Sequence, residues 1–441
     1  MFFNFLYLTA LLALSPVILY RSLRHGRYRR GRFEKVFGLS KSRGAALRGD
    51  AWKTVWVHAV SVGEVNLLLE LVKRLESQSG KISIVVSTST DTGYDLACQY
   101  FGADRVFFAP LDFTWAVKRT IRNLKCNQLI LAELELWPNL IATAASLRIP
   151  VCVVNGRLSE RSAAGYLRFS RWLAPAFSRL TAVGCQDTAT ADRFVRCGAD
   201  SDKVHVTGSL KFDNAPHSRD TPDVIERSDW AGIDPWLRVW CFGSSQAGEE
   251  EIALDVYHRL RPRHPELRLI LVPRHPERFD AVADLIQARG DRVLRRSYDN
   301  DQCSDTWDND EVILIDTVGE LRHWWGVAQI ATVGGSFGDR GGQNMLEPAG
   351  YGCATSFGPN TKNFDLIANQ LIDADAAVRV QNAEALETFV CRCLTDIPSA
   401  DTLGRHAQEL VRLHRGAYDR TMEMLGGVQT FQSTTPLRRA A

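Results

Sequence analysis

The run Trp56-Val57-His58-Ala59-Val60-Ser61-Val62-Gly63-Glu64 carries a β-rich stretch into a small-residue turn, and a carboxylate stands three residues past a serine. At the mouth of a cleft, Glu64 could accept a proton from a substrate hydroxyl as a general base. The same spacing is that of a capping box, with Ser61 as N-cap and Glu64 closing it. A second acidic cluster, Leu131-Ala132-Glu133-Leu134-Glu135-Leu136-Trp137-Pro138-Asn139, places Glu133 and Glu135 two residues apart. On an extended segment they share one side, which suits a hydroxyl-rich or cationic ligand. Pairing with Arg157 or Arg161 as scaffold is the alternative. Asn155-Gly156-Arg157-Leu158-Ser159 adds turn chemistry and a cation to the same wall. Lys211, in Gly208-Ser209-Leu210-Lys211-Phe212-Asp213, is a mobile point charge able to reach a phosphate or a sugar carboxylate.

The second half of the chain offers anion-binding patterns. Gly243-Ser244-Ser245-Gln246-Ala247-Gly248-Glu249-Glu250 reads as strand, turn and helix start, where free N–H groups near Ser244 and the helix dipole favour a phosphate. Gly334-Gly335-Ser336 ends another strand, and Gly341-Gly342-Gln343-Asn344 precedes a helix carrying Glu347. Neither run is a Gly-x-Gly-x-x-Gly or P-loop pattern. Pro273-Arg274-His275-Pro276 puts a guanidinium suited to bidentate phosphate contact at the end of a strand, or else forms a solvated loop. The pairs Asp308/Asp310 and Asp373/Asp375 resemble the Asp-x-Asp metal signature, but solvated carboxylates account for them better. No metal and no cofactor is expected.

Positioning these groups requires strands alternating with helices. The first half has strand candidates at 54–58, 82–88, 105–108, 129–133, 151–155, 181–185 and 204–207; the second has 239–243, 267–272, 312–316, 330–334, 353–358 and a weaker one at 377–380. Between the first two, Val65, Leu68, Leu69, Val72 and Leu75 recur at helical spacing. The alternation predicts βαβ units and parallel sheets, with ligands at the carboxyl ends of the strands. The expected division is an anchor helix over 1–20, a basic segment over 21–50, a Rossmann-like domain over 51–215, a Pro- and Gly-rich linker over 216–236, a second such domain with terminal helices over 237–425, and a disordered tail over 426–441.

The anchor is read from Phe2 to Tyr20, an apolar run broken only by Asn4, Thr9, Ser15 and Pro16. Seven basic residues and one acidic one follow within 21–35, a net of +6 in a chain whose total is +2. Positive charge after the apolar run, rather than before it, argues against a cleaved signal and for an uncleaved anchor with the remainder in the cytoplasm. A buried N-terminal helix is the alternative. Charged residues at 24 % beside 45 % hydrophobic exclude intrinsic disorder and a many-spanning membrane protein. Ten cysteines without a Cys-x-x-Cys pair suit reduced, buried thiols.

Read in order, these motifs resemble the 3-deoxy-D-manno-octulosonic acid (Kdo) transferases. The likeness runs from the anchor through Ser61-Val62-Gly63-Glu64, Glu133-Leu134-Glu135-Leu136-Trp137-Pro138-Asn139, Asn155-Gly156-Arg157, Lys211-Phe212-Asp213, Pro273-Arg274-His275-Pro276 and Asp316-Thr317-Val318-Gly319-Glu320-Leu321 to Gly342-Gln343-Asn344-Met345-Leu346-Glu347-Pro348-Ala349. It departs at Leu134, Gln246 and Ser209, where the family has Thr, His and Asn. The resemblance implies an α/β GT-B fold of two Rossmann-like, doubly wound domains facing a cleft, and a metal-independent, inverting transfer of Kdo from CMP-Kdo to the lipid A precursor. It implies Glu64 as the base. Contacts to the CMP-sugar are implied for Pro273, Arg274, Val318, Gly319, Glu320, Asn344, Met345, Leu346 and Glu347, and are expected from Lys211, Ser244, Gly335 and Ser336. Glu133, Glu135 and Arg157 fall on the acceptor side. The expected partners are CMP-Kdo, the lipid A precursor and an anionic membrane surface, without nucleic acid, and the expected location is the cytoplasmic face of the inner membrane. The competing readings are a GT-B transferase for another nucleotide sugar and a non-catalytic, membrane-tethered nucleotide-binding protein.

Overall fold

The computed structural model describes residues 2–25, 29–77, 82–298 and 311–433. Asp308, Asp310, Cys303, Arg27 and positions 434–441 lie outside the described residues. The chain divides into two units, residues 1–213 with 416–441, and residues 214–415.

The first unit holds strands β1 (Lys53–His58), β2 (Ile82–Thr88), β3 (Val106–Phe108), β4 (Cys126–Ala132), β5 (Val151–Gly156), β6 (Ala182–Cys185) and β7 (Val204–Val206). They form one sheet in the order β3-β2-β1-β4-β5-β6-β7, and every pairing is parallel. Both faces are covered, so β1 and β4 are buried along nearly their whole length, as expected of central parallel strands. The order reverses between β1 and β4, the switch point at which open α/β sheets bind ligands.

The second unit holds β8 (Arg238–Ser245), β9 (Leu267–Pro273), β10 (Val293–Arg295), β11 (Val312–Leu314), β12 (Ile330–Val333), β13 (Ala354–Phe357) and β14 (Ala377–Arg379). Their order is β10-β11-β9-β8-β12-β13-β14, again all parallel. Here the switch point lies between β8 and β12. Strand β10 is absent from the sequence expectation because its three residues are all half-buried at the sheet edge and show no alternation.

Two boundaries differ from the expected division. The stretch 216–236 is no bare linker, since Pro222–Trp230 is a helix whose Trp230 meets Trp324 edge to face at 5.8 Å within the second unit. At the other end, Ile397–His414 packs in the second unit and the following helix, Ala417–Ser433, belongs to the first. Asp213 caps that returning helix through the Gly416 and Tyr418 N–H groups, both at 2.7 Å, and the Tyr418 hydroxyl donates to Leu67 O. Helix therefore replaces the expected disordered tail over 426–433.

The N-terminal helix Phe2–His25 contains Pro16. Among the described residues no helix is long and apolar enough to cross a membrane. The nine described cysteines are free thiols.

In the second unit, the helix Ile397–His414 lies close against the turn before β13 because Gly404 carries no side chain; a Cβ there would overlap the Gly352 carbonyl oxygen. Gly404→Val should therefore destabilise this unit by about 2 kcal/mol or more, read by denaturant unfolding.

Candidate active site

In the first unit, the loop after β1 brings Glu64 to the β1/β4 switch point. The helix Val62–Ser77 starts there, its first bond running from Val65 N–H to Ser61 O. The Glu64 carboxylate accepts the Val60 N–H at 2.8 Å and the Ser61 hydroxyl at 3.0 Å. This is a variant of the capping box, because the serine hydroxyl donates to the carboxylate. Burial, reinforced by Glu133 and Glu135, pushes the Glu64 pKa up to about 7 against the lowering effect of those two donors. A carboxylate that changes charge near neutrality is suited to proton transfer.

Strand β4 ends at Ala132, one residue earlier than the alternation argument for Glu133 and Glu135 assumed. Glu133 takes a left-handed conformation with φ 52° and the chain turns tightly through Trp137, so the period of two does not set the directions of this pair. Glu135 is held by the Trp137 indole N–H at 2.8 Å and lies 4.0 Å from His58 Nε2. Burial raises its pKa, with Glu133 adding to the effect. His58 is buried and bonded to Ser87 Oγ at 2.8 Å; desolvation lowers its pKa to about 4, so the imidazole is neutral at physiological pH. Among the described residues neither Glu133 nor Glu135 forms an ion pair with Arg157 or Arg161, which removes the scaffold alternative.

Neighbouring β5 ends in a matching way. Asn155, buried with φ 54°, accepts the Leu210 N–H at 3.1 Å. That bond ties the turn Leu210–Asp213, and with it Lys211, to the strand end. Lys211 is half-buried and its pKa is lowered, chiefly by desolvation, with Glu133 opposing and Arg157 assisting. Glu64, Glu133, Glu135, Arg157 and Lys211 are thus gathered along the carboxyl ends of β1, β4 and β5. Non-glycine residues at positive φ cost of order 1–3 kcal/mol each, and two of them stand side by side in this cluster.

In the second unit the anion-binding expectations change. Glu249 is 3 % exposed, and its carboxylate accepts four backbone N–H groups, from Gln246, Gly335, Ser336 and Phe337, at 2.7–3.0 Å. The N–H groups of Gly335 and Ser336, expected to receive a donor phosphate, are therefore engaged by the protein's own carboxylate. The Ser336 side chain is fully buried, donating to Val333 O and accepting from Gly358 N. The first turn of the helix Glu249–Leu260 is Glu-Glu-Glu, so its dipole is already met by negative charge. Ser244, at φ 59°, remains half-buried on the turn.

The other expected residues divide between exposed positions and ones that the protein itself engages or buries. Arg274 follows buried Pro273 at the end of β9, its N–H on Ser245 O and its side chain exposed. Val318 is 77 % exposed, and the Cβ position of Gly319, at φ 91°, faces open space. Glu320 is committed elsewhere, to Arg227 at 3.3 Å and Arg296 at 3.1 Å. Glu347 accepts from Asn344 Nδ2 at 3.1 Å; burial raises its pKa while Arg322 and Arg274 pull it down. Met345 and Leu346 are buried and support this turn with side chains that do not reach solvent. Arg322 and Glu249 are the members that sequence reasoning missed. The signal for Glu249 was present, since Gln246-x-x-Glu249 repeats the Ser61-x-x-Glu64 spacing after the first strand of each unit. Asp373 and Asp375 precede β14, at the sheet edge opposite the carboxyl-end loops.

Two Rossmann-like units of parallel strands, each with candidate site residues at its switch point, define the GT-B fold class. UDP-GlcNAc 2-epimerase from Neisseria meningitidis, solved with UDP-GlcNAc, shares this fold at a TM-score of 0.56 and 12% identity, over 85% of this chain and 100% of that one. Residues 27–214 match the family pattern of 3-deoxy-D-manno-octulosonic-acid transferase. The chain is 33% identical to the 3-deoxy-D-manno-octulosonic acid transferase of Haemophilus influenzae over 432 residues, 96% of this chain and 98% of that protein. It is 32% identical to the enzyme of that name from Bordetella pertussis over 436 residues, 95% and 98% of the two chains. The protein belongs to the 3-deoxy-D-manno-octulosonic acid transferase family and is a glycosyltransferase.

Two measurements check the electrostatics. Glu249→Ala leaves four buried donors without an acceptor and should cost about 3 kcal/mol or more in denaturant unfolding. For Glu64, a folded pKa of about 7 lies above the ordinary carboxylate value of 4.5, so the native state binds the proton more tightly than the unfolded chain. Its contribution to stability is therefore lost as pH rises from about 4.5 to about 7. Glu64→Gln should remove that slope, raising Tm relative to the parent by an amount that grows between roughly pH 5 and pH 8.

Proposed function

We propose that the protein transfers Kdo from CMP-Kdo to a hydroxyl of the lipid A precursor in lipopolysaccharide biosynthesis, with inversion and with Glu64 as general base. The observation that carries this reading is the Glu64 carboxylate, anchored by two donors and flanked by two further carboxylates, with burial pushing its pKa up to about 7. The acceptor hydroxyl loses its proton to Glu64 as its oxygen attacks the anomeric carbon. The bond from that carbon to the CMP phosphate oxygen breaks, and CMP leaves with the electron pair. Lys211 and Arg274 are the cations suited to meet negative charge on the sugar carboxylate and the departing phosphate. Val318 and Gly319 offer an open backbone approach for the nucleotide, and the Asn344–Glu347 turn adds polar groups beside Arg274.

The family relationship supports the donor and the reaction class. A lipid acceptor is supported by the N-terminal helix, whose Phe5, Leu6, Leu8, Leu12, Leu14 and Val17 are exposed. Trp172, also exposed, stacks on Phe2 of this helix, and Phe33, Phe37, Trp115 and Phe169 add exposed aromatic surface to the same unit; indole side chains of this kind are enriched at membrane interfaces. With the basic residues that follow, this favours attachment to the cytoplasmic face of the inner membrane.

Incubation with CMP-Kdo and lipid A precursor in detergent, with EDTA present, should yield transfer, while Glu64→Ala should lose a factor of roughly 10² to 10⁴ and still bind CMP. Parent activity should rise with pH through about 7 as the base ionises. Absence of transfer by the parent protein refutes the activity, undiminished transfer by the variant refutes the base, and stronger competition by UDP than by CMP refutes the donor.

A further inference from the structure

A cavity of about 270 Å³ lies in the first unit, lined among others by Trp56, Ala109, Pro110, Leu111, Trp137 and Leu140. It covers the carboxyl ends of β3, β2, β1 and β4, since Ala109 follows β3, Ser89 follows β2, His58 ends β1 and Trp137 follows β4. The lining is mostly apolar, and its polar members are largely committed. Asp112 accepts the Asn139 and Leu140 N–H groups at 3.0 and 2.7 Å and is also bonded to Tyr7. His58 is bonded to Ser87. A sugar ring in this space would find few free partners for its hydroxyls, whereas a hydrocarbon would lose nothing. The remaining cation, Lys35, sits over the Phe108 ring at 4.2 Å and is available to an anionic headgroup.

Two further observations say which hydrocarbon. The N-terminal apolar helix is moored on the same rim: Asn4 donates to Thr114 Oγ1 at 2.7 Å and accepts from Thr114 N and Asn139 Nδ2, and Tyr7 meets Phe113 edge to face at 6.3 Å. Trp137, one wall of the cavity, holds the Glu135 carboxylate by its indole N–H. One side of the cavity therefore borders the helix expected at the lipid surface, and the other borders the carboxylates around the proposed base.

We infer that this cavity is a subsite for one acyl chain of the acceptor lipid, which seats the acceptor so that its reacting hydroxyl reaches Glu64. The inference rests on the proposed lipid acceptor. Burial of several methylenes in this space makes the subsite worth at least a tenfold difference in KM.

The test compares the acylated acceptor with its fully de-acylated counterpart, using the parent protein and two variants that fill the cavity, Ala109→Leu at its wall and Leu111→Trp at its exposed side. The parent should show at least tenfold lower KM for the acylated acceptor. In the variants that KM should rise about tenfold while KM and kcat for the de-acylated acceptor stay within twofold, a control that also reports correct folding. Equal KM values for the two acceptors in the parent, or equal losses on both acceptors in both variants, overturn the subsite, as does an unchanged KM in both. If the fills act alike on a free fatty acid added as competitor and leave acceptor KM unchanged, the cavity binds lipid unrelated to the reaction and the inference fails. Absence of turnover on either acceptor by the parent instead refutes the proposed function, and the subsite with it.

Discussion

The Glu64 carboxylate is half-buried beside two other carboxylates, and among the described residues it has no ion-pair partner. Burial alone would favour its neutral form, and a cation would cancel that effect. The loop between β1 and its helix supplies two hydrogen-bond donors instead, so the negative form remains accessible near neutrality. The surrounding architecture follows from that constraint. The cations Lys211 and Arg157 stand toward Glu133, the outer member of the acidic group, and the turn after β4 keeps Glu135 engaged with Trp137. Left-handed conformations at Glu133 and Asn155 hold two adjacent strand ends in this arrangement.

The second unit shows what the same position becomes when donors are plentiful. Glu249 stands at the start of the helix after β8 as Glu64 stands after β1, each three residues beyond the residue that opens its turn. Four backbone N–H groups converge on Glu249 and bind the β8 turn to the β12 turn. That carboxylate is a structural tie, and burying it closes the glycine-rich turn to outside anions. The proposed phosphate contacts in this unit then rest on exposed side chains such as Arg274 and on the more open turn at Val318 and Gly319, rather than on the backbone near Ser244.

Strand positions were readable because both sheets are parallel and buried on both faces, so each strand is an apolar run that punctuation brackets well. The β10 edge strand escaped because three half-buried residues carry no such signature. Among the candidate site residues, the positions of Glu64, Arg274 and Lys211 at strand or turn ends were legible because each follows a recognisable strand or turn. The directions of Glu133 and Glu135 could not, since a left-handed residue at a strand end breaks the period that the argument used. Nor could the fate of Gly335 and Ser336, because the carboxylate that occupies their N–H groups comes from 86 and 87 residues away in sequence.

The mooring of the N-terminal helix bears on how attachment and chemistry are linked. A helix held to lipid by apolar residues alone would leave the first unit free to tumble about it. Asn4 instead spends its amide on Thr114 and Asn139, a polar contact costly to break where little water competes. Asn139 is the second residue of the helix Pro138–Ser146, whose preceding turn carries Glu135 and Trp137. The segment that fixes the apolar helix is thus continuous with the segment that sets the carboxylates, so under the proposed membrane attachment the orientation of the helix would be passed to the site through a few residues of backbone. For a substrate confined to that surface, such coupling presents one face of the site to the acceptor, so that encounter becomes a search in two dimensions with the reacting group already oriented.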